Sequence, residues 1–211
     1  MGCHRPDLLV VSELTTALDA LLEEHRRLGS PVGDYLRPGA SRAAVERRLG
    51  SIGLPAPPDV VDLYGWADGT DEPAWQREAP RAPFLRFIGD AFYPPLDDAV
   101  RWCATVRQLA RDLAEGSIDP IDREAFWRPI WLPVLRPDRG EWAVVCAAGE
   151  QATVHRVDWG QPGAGRQHPN LAGLFRSAAD ELRDGFVWLA EEQVLLRRDV
   201  AALRQPRTRP G

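Results

Sequence analysis

The stretch from Gly50 to Gly69, reading G-S-I-G-L-P-A-P-P-D-V-V-D-L-Y-G-W-A-D-G, constrains this chain more than any other. It describes a helix end, a fixed turn, a short apolar helix and a glycine-terminated loop. Pro57 and Pro58 stand at the entry and first turn of that helix, where a missing N–H costs nothing. Asp59 and Asp62 fall near the positive end of its dipole. Val60, Val61, Leu63, Tyr64 and Ala67 leave a broad apolar face that has to be covered by other elements. Gly69 supplies the left-handed residue expected to stop the helix. The stretch contains no nucleophile, metal cage or phosphate loop, so it reads as architecture carrying an acidic rim.

The flanking sequence is punctuated in the same way. Leu8 to Leu28 has a helical repeat of Leu14, Leu18, Leu21, Leu22 and His25, closed by Gly29. Ser30 to Ala40 holds Pro31, Gly33, Pro38 and Gly39 and reads as a linker, which makes the first helix an appendage. Ser41 is a good N-cap for a helix ending at Gly50. Thr70 to Pro83 is polar and proline-containing and reads as a long surface loop around Trp75. Short strand-like runs flank Gly89-Asp90. Leu96 to Glu115 is helical, with Ala99, Val100, Cys103, Val106, Leu109, Ala110 and Leu113 as its buried stripe.

A β-meander is expected next. Pro129 to Leu135 has prolines at its margins and reads as an edge strand. Trp142 to Ala147 is apolar and therefore central, and Ala152 to Trp159 alternates as a strand with one wet face. Gly160 to Pro169 reads as a Gly/Pro-rich loop. Asn170 caps an amphipathic helix with Leu171, Leu174, Phe175, Ala178 and Leu182 inward. Val187 to Leu203 reads as a further helix, and Arg204 to Gly211 as a disordered basic tail. The fold class expected is α+β, a largely antiparallel sheet of about four to six strands flanked by helices. Three segments are expected: 1–40, an N-terminal helix and linker; 41–186, the α+β domain; and 187–211, a C-terminal extension.

Charge and cysteine usage exclude several classes of function. The formal net charge is −5, with 26 cationic and 31 acidic side chains. That balance opposes direct nucleic-acid binding, which needs a basic surface to release counterions. The three cysteines, Cys3, Cys103 and Cys146, are odd in number and widely spaced, as expected in a reducing compartment. Met1 to Asp7 lacks a signal peptide's apolar core, and no window approaches a membrane span, so a cytoplasmic location is expected.

The capped helix with L-G-S-I-G-L-P and D-V-V-D-L-Y-x-x-A-D-G resembles the start of the SUKH superfamily, the Smi-one/Knr-four-like proteins. The later W-R-P-I-W-L-P-V-L, G-E-W-A-V-V-C, A-T-V-H-R-V-D-W-G and N-L-A-G-L-F-R-S-A-A-D-E-L-R-D-G follow the same pattern in order, over roughly residues 41 to 186. The resemblance implies a SUKH-like α+β domain and a non-enzymatic binding role. Bacterial members are commonly immunity proteins that neutralise toxins, often nucleases, and fungal members are linked to cell-wall assembly. Leu54, Pro55, Leu63, Asp68 and Gly69 match the first motif, and Trp131, Leu132 and Pro133 the second. Cys146 stands where a family strand often carries an acidic residue.

The candidate contact residues are Asp59, Asp62, Asp68, Asp71 and Glu72, with Trp66 and Trp75 flanking the acidic loop. They could steer a basic protein partner, such as a toxin domain, through complementary potential; the plainer alternative is a solvated helix start and loop. Trp131 and Trp142 are expected in the core. Cys146 and His155 would approach across neighbouring strands if the hairpin turned at Gly149-Glu150, and could form a nucleophilic pair or half a metal site. Neither an orienting group nor further ligands accompany them. No catalytic, cofactor or metal set is assigned, and the chain is expected to be a monomeric binding protein. A regulatory or scaffolding protein without a toxin is the alternative.

Overall fold

A computed structural model describes residues 12–79, 85–89, 91–116, 127–137, 140–147, 152–158, 161–189 and 194–198. Cys3, His4, Asp119, Asp122, Trp159, the turn at Asp138-Arg139, the turn from Ala148 to Gln151 and the tail from Arg204 lie outside these residues. The architecture is α+β. Helices α1 (Glu13–Leu28), α2 (Arg42–Gly50), α3 (Pro58–Trp66), α4 (Glu72–Glu78) and α5 (Leu96–Gly116) precede strands β1 (Trp131–Leu135), β2 (Glu141–Val145), β3 (Val154–Asp158) and β4 (Gln161–His168). Helix α6 (Leu171–Gly185) and strands β5 (Phe186–Leu189) and β6 (Val194–Arg197) complete it. No helix among the described residues is long and apolar enough to cross a membrane.

The four-stranded sheet is antiparallel in the order β1-β2-β3-β4. As expected, β1 is an edge and β2 is central. Pro133, which has no N–H to give, sits in β1 opposite Ala143, beside a bulge. Cross-strand partners share a face, and successive residues alternate between faces. One face carries Leu132, Val144, Cys146 and Val154, which join a buried cluster with Leu18 and Leu21 of α1, Leu63 of α3 and Phe175 of α6. The other face carries Trp131, Ala143 and Val157, packed with Val106 and Ala110 of α5. The sheet is thus covered on both sides.

Four expectations are corrected. First, α1 is core: it lies along α6, and Leu14, Leu18 and Leu21 are buried in the main cluster. Glu24 reinforces the contact by accepting from Arg27 at 2.6 Å and from Arg183 of α6 at 2.9 Å. The linker 30–40 is correspondingly ordered; Pro31–Tyr35 is a 3-10 turn, and Ala40 N–H donates to Tyr64 C=O at 2.8 Å. Second, Thr70 to Pro83 is not all loop. Asp71 caps α4 by accepting from Ala74 N–H at 3.0 Å, and burial of Trp75 holds the short helix in place. Third, residues 161–168 form β4. Backbone pairing with β3 does not depend on bulky side chains, and an edge tolerates Gly and Pro. Fourth, 187–203 does not continue as a helix. Phe186-Val187-Trp188-Leu189 has strand-forming side chains and pairs antiparallel with Val194–Arg197.

Caps fix the helix ends. Ser12 Oγ accepts from Thr15 N–H at 3.2 Å, so α1 begins at Glu13, later than the Leu8 expected, and Gly29 takes φ +76° at its close. Ser41 Oγ accepts from Ala44 N–H at 3.3 Å, and Asn170 Oδ1 from Gly173 N–H at 2.8 Å.

Candidate functional site

The acidic rim is built from α3, the Ala67–Asp71 corner and α4. The structure gives most of its carboxylates backbone partners from elsewhere in the chain. Asp68 Oδ1 accepts from Leu96 N–H at 2.8 Å and so caps α5; its other oxygen is 3.5 Å from Arg37. Asp71 caps α4. Glu72 accepts from Leu85 N–H through both oxygens, at 3.1 and 3.3 Å. Asp59 accepts from the backbone of Ala152, which ties the start of α3 to the approach to β3. Burial raises the carboxyls of Asp59 and Glu72 above the ordinary range, and these hydrogen bonds oppose the rise. Asp62 makes no such tie among the described residues.

The two tryptophans differ. Trp75 is 2% exposed and meets Tyr35 edge-on at 5.3 Å between ring centres. It cannot be a surface anchor, and its candidacy is corrected: the polar sequence around it conceals a helix whose inward face it occupies. Trp66 is half-buried, and its indole N–H donates to Asp19 of α1 at 2.8 Å. That bond brings exposed acids of α1 beside α3, a juxtaposition that local sequence does not show.

The motif residues hold the architecture. Leu54 is buried after Gly53, which has φ +74°. Pro55 is half-buried. Leu63 is fully buried, and its carbonyl accepts from Tyr93 Oη at 3.1 Å. The helix ends at Trp66, before Gly69, so Gly69 is not its immediate stop. Gly69 has φ +75°, and a Cβ there would lie 2.3 Å from Pro95 N, so only glycine lets the corner approach the entry to α5. Trp131 and Leu132 are buried on opposite faces of β1, and Pro133 is buried at the sheet edge. Trp142 is half-buried, with the Arg156 guanidinium 5.4 Å from its ring centre.

Cys146 and His155 do not meet. The register sets His155 opposite Ala143, and Cys146 lies three residues beyond Ala143, on the other face. Cys146 is buried, and burial pushes its thiol up to about 12. His155 stacks on Trp131 at 5.2 Å. The expected proximity fails because β2 and β3 pair in a register that sends the two side chains to different layers.

Two polar centres are buried, and of them the sequence reading places only His25, as a member of the α1 repeat. His25 is fully buried, bonded through Nε2 to Phe87 C=O at 2.9 Å and through Nδ1 to Ser30 Oγ at 3.1 Å. Burial lowers its pKa to about 4, against the opposing pull of the Phe87 carbonyl. Glu141 is 2% exposed at the start of β2, where Trp102 Nε1–H donates to its Oε1 at 2.6 Å. Arg136 lies 3.8 Å from that oxygen, with its guanidinium over the Trp102 ring at the same distance and 5.3 Å from the Phe92 ring centre. Glu141 Oε2 is buried without a hydrogen-bond partner among the described residues. Burial pushes the carboxyl up to about 7, although the Trp102 bond and the Arg136 charge favour ionisation. The only sequence signal for this cluster was an acid opening an otherwise apolar strand. Among the described residues no group of three or more His, Cys, Asp or Glu side chains is arranged to hold a metal ion. No protein-family model matches the chain, and no curated protein matches it either.

Proposed function

We propose that the chain is a non-enzymatic protein-binding domain of SUKH type, an immunity protein that binds and neutralises a basic toxin domain such as a nuclease. The supporting observation is the order and packing of the elements: a helix–turn–helix whose L-P and D-G residues lock its corners, an antiparallel meander, and a capped helix, all sharing one core. In this reading the protein acts as a cytoplasmic monomer with no cofactor and no direct contact to nucleic acid. It works by occlusion: a rigid surface covers the toxin's active site, and acidic side chains substitute for the charge of a nucleic-acid substrate. The net charge of −5 favours encounter with a basic partner.

The test is co-expression with the product of an adjacent toxin-like gene. Protection of the host and co-purification of the two proteins are the expected result. A toxin that kills equally with and without this chain overturns the immunity reading and leaves a regulatory role.

A further inference from the structure

The end of β1, the start of β2, helix α5 and residues 91–93 meet around one guanidinium. Phe92 and Arg136 bond reciprocally through their backbones at 3.1 Å, which pins the root of the Arg136 side chain. Its guanidinium lies 3.8 Å from the Trp102 ring centre and 5.3 Å from that of Phe92. Both rings are half-buried and the Arg136 side chain is 30% exposed, so the slot between them reaches the surface. Its inner end is the buried Glu141 carboxyl. The resident cation is poorly seated there. Arg136 Nε stands 3.8 Å from Glu141 Oε1, beyond hydrogen-bonding distance. Arg136 Nε and Glu141 Oε2 are both buried without a hydrogen-bond partner among the described residues. A guanidinium and a carboxylate fit best through two parallel bonds of about 2.7–2.9 Å. From its pinned backbone Arg136 reaches the rings but makes neither bond.

We propose that Trp102, Phe92 and Glu141 form a guanidinium slot in which an arginine side chain of the protein partner takes the place of Arg136. The proposal rests on the protein-binding reading above. A guanidinium entering from outside is free of the backbone tether. It can stack on Trp102 and donate to Oε2, the oxygen that Arg136 leaves unmet. Oε1 still holds the Trp102 N–H, and a carboxylate accepts more than one bond at each oxygen. Arg136 leaves behind two ring contacts and a long ion pair, which the incoming group replaces in kind. A lysine ammonium is a point charge and lacks the planar face that stacks on the indole, so the slot favours arginine.

The probe is methylguanidinium, titrated into the isotope-labelled full chain at pH 8, where Glu141 is ionised. The indole N–H signal of Trp102, assigned by its loss in Trp102→Phe, reports on the slot because that N–H donates to Glu141. Arg136→Ala should bind the probe at least about tenfold more tightly than wild type, and R136A/E141Q should lose that gain. Urea at the same concentration, the uncharged isostere, should leave the signal in place. If Arg136→Ala does not fold, Arg136→Gln is held to the same criteria. No shift in the emptied slot, an equal Kd with and without the Glu141 carboxylate, or an equal response to urea overturns the proposal. Co-purification separates it from the functional reading. The partner should be held about tenfold more tightly by Arg136→Ala than by Arg101→Ala, which removes the same charge from an exposed side chain of α5. Equal retention by the two variants removes the partner's arginine from the slot and leaves the protein-binding role standing. A slot that binds methylguanidinium in a chain that protects against no toxin supports the slot and removes the immunity role.

Discussion

Replacing Glu141 with glutamine should flatten the pH dependence of stability. In the fold, Glu141 titrates near pH 7, because burial penalises its charge more than Trp102 and Arg136 favour it. In the unfolded chain it titrates at the ordinary value of 4.5. The folded state therefore binds the proton more tightly. The cost of ionising this group is absent below the unfolded value, grows between pH 4.5 and 7, and is complete above the folded one. At 1.36 kcal/mol per pKa unit, wild type should lose about 2–3 kcal/mol from this site between pH 5 and pH 8. His25 acts in the opposite direction. Its folded pKa is depressed to about 4, so its contribution is present above the unfolded 6.5 and is lost as pH falls toward 4. Raw pH curves mix the two effects, and a double difference separates them. Urea unfolding of wild type and Glu141→Gln at pH 5 and pH 8 cancels His25 and any fixed cost of the amide. The variant should gain about 2–3 kcal/mol on wild type as pH rises from 5 to 8. A gap that does not change with pH, or that moves the other way, refutes the reasoning and places a donor on Glu141 Oε2.

Two further substitutions test the corner around α3 and α4. Trp75→Ala empties a buried indole site and should cost about 3–5 kcal/mol in urea unfolding; a change under about 1 kcal/mol would mean that the side chain is not packed as described. Gly69→Ala adds a methyl 2.3 Å from Pro95 N at φ +75° and should lower the thermal midpoint, whereas Gly50→Ala, with no neighbour within 4 Å, should leave it unchanged or raise it; equal midpoints for the two variants would refute the close approach.

The elements legible in the sequence are those whose signals are local. Ser41 and Asn170 cap the helices they precede, Gly29 closes α1, and the proline-containing run from Pro129 to Leu135 supplies β1 at the sheet edge. The elements missed depend on distant partners. Helix α4 has seven residues and relies on the burial of Trp75 against the rest of the fold. Strand β4 is specified by the edge of β3, not by its own glycines. The β5–β6 hairpin carries leucines at spacings that also suit a helix, and cross-strand pairing decides between the two. The acidic rim was legible as a run of charge, but its roles were not. Asp68 reaches Leu96 and Glu72 reaches Leu85, separations over which no periodicity operates.

Hydrogen bonding therefore divides the acidic residues into two populations that a net charge of −5 does not distinguish. A carboxylate that holds a backbone N–H can meet a partner at short range only by giving up or sharing that bond, and a buried N–H left without a partner costs about 1–3 kcal/mol. Asp59, Asp68, Asp71 and Glu72 are in this position. Their charge still acts at a distance, where it raises the rate of encounter with a basic molecule. Glu181 and Asp184 are exposed and hold no backbone N–H among the described residues. On the proposed binding role, the four carboxylates that hold backbone N–H groups act on the rate of association rather than on how long a complex lasts, which short-range contacts set.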